Sequence, residues 1–205
     1  MSRDGSARLW ETSTQSTISL LYQVPSSSSS RSINTCFLCK SHSSNNTTNT
    51  INNDKEYGTE GKMVIIGTEE GNLIGIDVRN KQTAFKCDIN KPVISCIANN
   101  DNTKYFAGTE DGKIYEYSYN NVKEPLSIID TNNSGSILNL NFSANNTIWF
   151  STSTGITCEY DFTEKRIIRQ LTGSDCEPVT TIVTDKSQNL LYTGSRDGFI
   201  RKYSI

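Results

Sequence analysis

Histidine is nearly absent: of 205 residues, His42 is the one imidazole. That leaves no base for a Ser-His-Asp constellation and starves most metal sites and acid–base chemistries. Proline is scarce, with four residues, and no apolar run approaches the roughly 18 residues of a membrane-spanning helix. The start, Met1-Ser-Arg-Asp-Gly5, has no apolar stretch of a secretory leader. An excess of either charge is also missing. Twenty Lys plus Arg against 22 Asp plus Glu gives a net charge of −2, which removes the electrostatic basis for sequence-independent nucleic-acid binding. No segment reads as a convincing helix, and no phosphate-cradling glycine loop precedes one. The expectations are therefore no cofactor, no metal, no small-molecule substrate, and neither nucleic acid nor membrane as a partner.

What remains is 34% hydrophobic, 9% aromatic and 20% charged, enough to fold if the polar residues are concentrated in loops. Without a leader, the six cysteines (Cys36, Cys39, Cys87, Cys96, Cys158, Cys176) are expected as reduced thiols buried in strands of a cytoplasmic or nuclear protein. Cys36-Phe-Leu-Cys39 with His42 nearby has metal-like spacing, but a zinc site needs a fourth ligand and no second CxxC or HxxxH follows.

The main signal is internal repetition. Ser2-Arg-Asp-Gly-Ser-Ala-Arg-Leu-Trp10, Gly67-Thr-Glu-Glu-Gly-Asn-Leu-Ile-Gly-Ile-Asp77, Gly108-Thr-Glu-Asp-Gly-Lys-Ile-Tyr-Glu-Tyr-Ser118, the weaker Ser151-Thr-Ser-Thr-Gly-Ile-Thr-Cys-Glu-Tyr-Asp161 and Gly194-Ser-Arg-Asp-Gly-Phe-Ile-Arg-Lys-Tyr-Ser204 align. Their glycines, Gly5, Gly71, Gly112, Gly155 and Gly198, are 66, 41, 43 and 43 residues apart. The last three intervals are one period, the size of a four-stranded propeller blade. The first exceeds it by about 23 residues, and the excess lies in a polar, aperiodic stretch at 41–60 that reads as a disordered insertion. A Ser-rich loop at 25–32 is a second soft segment.

Within the third period, Val93–Ala98, Tyr105–Ala107, Lys113–Ser118 and Leu126–Ile129 read as four strands. The Glu-Asp-Gly and Arg-Asp-Gly turns between the second and third strands place glycine where positive φ is needed, and an aspartate that can bond its own turn. This pattern resembles WD-type β-propellers. Trp10, Tyr117, Tyr160 and Tyr203 stand where that fold has its strand-three Trp. No Gly-His dipeptide occurs, so the hydrogen-bonded link from that His to the turn Asp is incomplete. The expected fold is all-β, a partial WD40-type propeller over residues 1–205. It holds four repeats plus one strand of a ring that usually has seven blades, so the chain reads as part of a longer one with apolar blade faces exposed.

In WD-type propellers the turn between strands two and three shares a face with the loop entering strand one. On this alignment that face carries Asp4, Glu69, Glu70, Asp88, Glu110, Asp111, Asp130, Asp175, Glu177 and Asp197, against Arg3, Lys91 and Arg196. Such a set suits docking of a basic partner, while each acid can also simply stabilise its own turn. Asp4, Asp111 and Asp197, immediately before glycine, are the structural candidates; Glu69, Glu70 and Glu110 are expected to point to solvent. The candidate protein-binding residues are Glu69, Glu70, Glu110, Asp111, Asp175, Glu177, Arg196 and Asp197.

Four stretches narrow the resemblance further: Ser2–Trp10, Ala107–Tyr115, Leu171-Thr-Gly-Ser-Asp-Cys-Glu-Pro-Val179 and Arg196–Tyr203. In this order and spacing they look like the C-terminal half of the proteasomal ATPase-associated factors, WD-repeat chaperones of the 26S proteasome regulatory particle. Leu171–Val179 is the most telling, since its Gly-Ser-Asp-Cys-Glu-Pro loop lies outside the general WD pattern. The resemblance implies a protein that is not an enzyme. It implies binding to the C-terminal domain of one AAA+ ATPase subunit while the 19S base assembles, and release before the mature particle works. It supplies no residue-level interface. A WD scaffold for another complex stays open as an alternative, because propellers host unrelated partners. A propeller hydrolase is the third reading, opposed by the missing histidines and the absence of converging carboxylates.

Overall fold

The computed structural model describes residues 2–39, 63–99, 103–119, 121, 123–132, 135–143, 146–171, 177–185 and 189–205. The insertion expected at 41–60, together with His42, Asp175 and Cys176, lies outside them. The described residues form seventeen β-strands and no helix. They build five antiparallel sheets in chain order. The first pairs β1 (Ser6–Glu11) with β2 (Ser16–Gln23). The second runs β3 (Ile33–Leu38), β4 (Met63–Thr68), β5 (Asn72–Asp77), β6 (Gln82–Asp88). The third is β7 (Val93–Ala98), β8 (Lys104–Thr109), β9 (Lys113–Ser118), β10 (Ser127–Asp130), and the fourth β11 (Ile137–Phe142), β12 (Thr147–Thr152), β13 (Thr157–Asp161), β14 (Arg166–Leu171). The fifth has three strands, β15 (Val179–Asp185), β16 (Leu190–Ser195) and β17 (Ile200–Ser204). This is a partial β-propeller: three complete four-stranded sheets between two incomplete ones.

The repeat alignment is reproduced in the backbone. All five aligned glycines hold positive φ, from +74° at Gly5 to +92° at Gly71, a region that a side chain makes costly. At Gly71 space forbids one as well, since a Cβ would meet the Lys91 backbone nitrogen at 2.5 Å. Register repeats too: Gly67 pairs with Leu73, Gly108 with Ile114, Ser151 with Thr157 and Gly194 with Ile200. The fourth strand of the third sheet starts at Ser127, one residue later than the sequence pattern suggests.

Alternation along each strand sends side chains to both neighbours, so the core is a stack of layers between sheets. Ile65 and Leu73 of the second sheet pack with Val93, Cys96, Tyr105 and Tyr117 of the third. Ile97, Phe106 and Ile114 of the third then meet Ile137, Leu140 and Phe150 of the fourth. Trp149, fully buried, joins the fourth sheet to Val179, Ile182 and Leu191 of the fifth. Each such side chain contributes about 1.5–3 kcal/mol by leaving water. Cys39, Cys87, Cys96 and Cys158 are buried in these layers, whereas Cys36 is exposed, against the expectation of a buried thiol. Burial pushes the thiols of Cys39, Cys87 and Cys96 up to about 12, far from thiolate reactivity.

Two buried acids went unnoticed in the sequence. Glu116 and Glu159 occupy equivalent places on β9 and β13, each only 6% exposed. Glu116 takes Lys104 Nζ at 2.7 Å and a hydrogen bond from the Ser127 hydroxyl at 2.5 Å. Glu159 accepts from Thr147 Oγ1 at 2.7 Å and lies 3.5 Å from Arg169 Nε. These groups tie the second, third and fourth strands of a sheet together.

Candidate docking face

One end of the second to fifth sheets is closed by the same backbone contact. The turn between the second and third strands donates an N–H to the residue leading into the first: Glu69 to Ser32 O at 3.0 Å, Glu110 to Pro92 O at 3.1 Å, Ser153 to Ser136 O at 3.0 Å and Arg196 to Pro178 O at 2.9 Å. The carbonyls of the turn glycines accept from the residue just past the last strand of the same sheet, which extends the ladder to its end. Val24 N bonds Gly5 O at 2.9 Å, Ile89 N bonds Gly71 O at 2.8 Å, and Thr131 Oγ1 bonds Gly112 O at 2.7 Å. Turns and entry loops thus lie together at the same end of these sheets.

In place of the missing histidine, a hydroxyl residue precedes each turn. Thr68, Thr109 and Thr152 are buried, and Thr109 Oγ1 donates to the Asp111 carboxylate at 2.6 Å. Thr68 Oγ1 accepts from Asn72 N at 3.0 Å and Thr152 Oγ1 from Ile156 N at 3.1 Å. These bonds satisfy turn amides that would otherwise have only water.

The face acids divide by what they hold. Asp4 accepts from Ser6 N at 2.9 Å and Ser6 Oγ at 2.8 Å, also takes the Ser2 hydroxyl, and is held near 2 chiefly by the hydroxyls of Ser2 and the amide of Ser6. Asp197 accepts from Phe199 N at 3.0 Å and pairs with Arg201 Nη2 at 2.6 Å, and the Arg201 hydrogen bond lowers its pKa. Asp88 and Asp130 each accept from an amide two residues on, Asn90 N and Asn132 N. Arg201 at Asp197 and Arg8, 3.6 Å from Asp4, are bases that the count of acids against bases left out.

Glu70 does not simply face solvent as expected. It stands where the turns at Gly5, Gly112 and Gly198 have aspartate, and its longer side chain reaches back to the preceding loop. Oε1 accepts from the amide and hydroxyl of Ser29, the latter at 2.9 Å, and from Ser30 N at 3.4 Å. The hydroxyls of Ser29 and Ser28 depress its pKa. Glu69 is exposed, and its Oε2 accepts from Asn34 Nδ2 at 2.6 Å; the same amide reaches Val93 O of the next sheet at 3.2 Å. Glu110, Glu177 and Arg196 are exposed. The structure therefore brings Glu69, Glu70, Glu110, Asp111, Glu177, Arg196 and Asp197 to one face, with Asp175 outside the described residues. Asn34, invisible in the turn pattern, joins them through its pairing with Glu69.

Among the described residues, no group of three or more His, Cys, Asp or Glu side chains is placed to hold a metal ion. Among the same residues, no helix is long and apolar enough to cross a membrane.

A family model, "WD domain, G-beta repeat", matches residues 165–204, the span of β14 to β17. The chain is 31% identical over 194 residues to a probable proteasomal ATPase-associated factor 1 of Dictyostelium discoideum, covering 85% of this chain and 45% of that protein. It is 29% identical over 153 residues to the proteasomal ATPase-associated factor 1 of Gallus gallus, and 28% over 152 residues to that of Homo sapiens. Both matches cover 74% of this chain and 37% of the relative. The chain thus spans less than half the length of the curated relatives it matches, and the resemblance read from the four ordered motifs stands.

Proposed function

We propose that this chain acts without catalysis, as an assembly chaperone that binds the C-terminal domain of a proteasomal AAA+ ATPase subunit while the 19S base forms. The observation that carries the reading is the similarity to proteins named for association with proteasomal ATPases, over 74–85% of the chain. The geometry supports it. The sheets present turns tied by backbone bonds to the loops that enter the first strands, so the exposed side chains of Glu69, Glu110 and Glu177 start from anchored positions for a basic partner. Of the predicted acids, Asp111 and Asp197 support their own turns, and Arg196 sets a cationic limit to the surface. Asp175 belongs to this proposed set on the strength of sequence alone.

Exposed acids of this kind act mainly on association rate and specificity, and their effect falls with salt. Purified chain immobilised on beads should retain proteasomal ATPase subunits and base subassemblies. Failure to retain any of them would remove the reading and leave the alternative, a WD40 scaffold of another complex in the cytoplasm or nucleus.

A further inference from the structure

The loop from 24 to 32 joins β2 to β3 in nine residues, where the corresponding connections β6–β7, β10–β11 and β14–β15 take four, six and seven. It crosses the β4–β5 turn and meets it at two points. One is the backbone bond from Glu69 N to Ser32 O; the other is the Glu70 carboxylate, gripped by Ser29 and Ser30. Asp4, Asp111 and Asp197, at the equivalent place in their turns, bond within their own turns. Glu70 is one methylene longer and is spent on the loop instead. Otherwise the loop is held by bonds within itself, Ser28 N to Pro25 O at 3.1 Å and Arg31 Nη2 to Ser26 O at 3.3 Å, and its run of serines has no apolar side chain to bury.

We propose that this serine loop is a strap latched by Glu70, and that a cationic group of the docking partner opens it by taking the carboxylate. The inference rests on the docking reading and deepens it: Glu70 is the face acid masked in the unbound protein, and binding exposes it. Closed, the strap covers one acid and lowers the apparent affinity for a basic surface; open, it adds that acid to Glu69 and Glu110. The strap thus makes engagement at this corner conditional on displacing hydroxyl and amide donors, which disfavours weakly cationic competitors.

Glu70→Asp provides the sharpest test because it preserves charge while shortening the reach. Hydrogen exchange followed by mass spectrometry should show the Ser29 and Ser30 amides exchanging about tenfold faster in both Glu70→Asp and Glu70→Ala, from loss of charge-assisted hydrogen bonds. Unchanged exchange in either variant would overturn the latch. With a purified proteasomal ATPase subunit, Glu70→Ala should bind about threefold more weakly than the parent chain at low salt, and equal or tighter binding would overturn the part of this acid in docking. Binding should also speed exchange at Ser29 and Ser30 in the parent chain. A bound complex in which those amides stay protected would overturn the opening step. If the subunit does not bind at all, the docking reading falls and the gating role with it, while the exchange data judge the latch separately.

Discussion

The third and fifth sheets carry the same instructions and end in different surroundings. Ile97, Phe106 and Ile114 of the third sheet correspond in register to Val183, Tyr192 and Ile200 of the fifth. Ile114 is fully buried and Phe106 is 1% exposed, because the fourth sheet covers them. Ile200 is 82% exposed and Val183 55%, because no described sheet follows. At the other end Trp10, 55% exposed, stands in the column where Tyr117 is 2% exposed. Strand formation here is local, whereas burial is supplied by the next repeat. Stability in such an array is a sum of sheet terms and interface terms.

That contrast can be broken most visibly in the core. Trp149→Ala or Phe106→Ala should cost about 3–5 kcal/mol in chemical denaturation, while Ile200→Ala should change stability by less than about 0.5 kcal/mol. Equal losses at Phe106 and Ile200 would mean that the fifth sheet has a partner in solution. The uncovered face should also bind a hydrophobic dye and promote association, and Val183→Lys with Ile200→Lys should reduce both, as read by fluorescence and sedimentation. A smaller effect is expected at the buried acids. Lys104→Met leaves Glu116 without its cation and should cost about 1–2 kcal/mol, and the added change Glu116→Gln should recover most of it.

The smallest effect is at the turn acids, and its sign follows from their depressed pKa. Asp4 in the folded chain titrates near 2, below its ordinary 3.8. Its contribution is present above the ordinary value and is lost as pH falls from there through about 2. Carboxyl NMR should place the Asp4 midpoint near 2, and Ser2→Ala with Ser6→Ala should return it toward the ordinary value. An unshifted midpoint in the parent chain would show that the turn does not hold the carboxylate.

The sheets were legible because a turn glycine and a period near 43 residues recur through the chain, and positive φ at Gly5, Gly71, Gly112, Gly155 and Gly198 is the physical reason they must. The β7 and β9 boundaries follow directly from their β-branched and aromatic runs. The face was legible as a set of turns, since a repeat that places one turn at an end places them all there. Which acids stay exposed was not legible, because the answer lies in contacts across long separations. Glu70 differs from the aspartates by one methylene, and its fate depends on serines 40 and 41 residues earlier. Arg201 and Arg8 neutralise Asp197 and Asp4 from the following strand, a pairing set by strand geometry. Nothing in the strand pattern marked Glu116 and Glu159 as buried, because their partners are cations and hydroxyls on the strands beside them.

The proposed docking of a proteasomal ATPase subunit rests on the exposed acids of this face. Its most direct test is the affinity of the 205-residue chain for such a subunit, compared with Glu69→Lys/Glu110→Lys/Glu177→Lys at low and moderate salt. Binding by the parent chain that weakens with salt, and a loss of about tenfold or more in the triple variant at low salt with unchanged circular dichroism, is the predicted result. Equal affinity of the two proteins, or no binding by either, would contradict it.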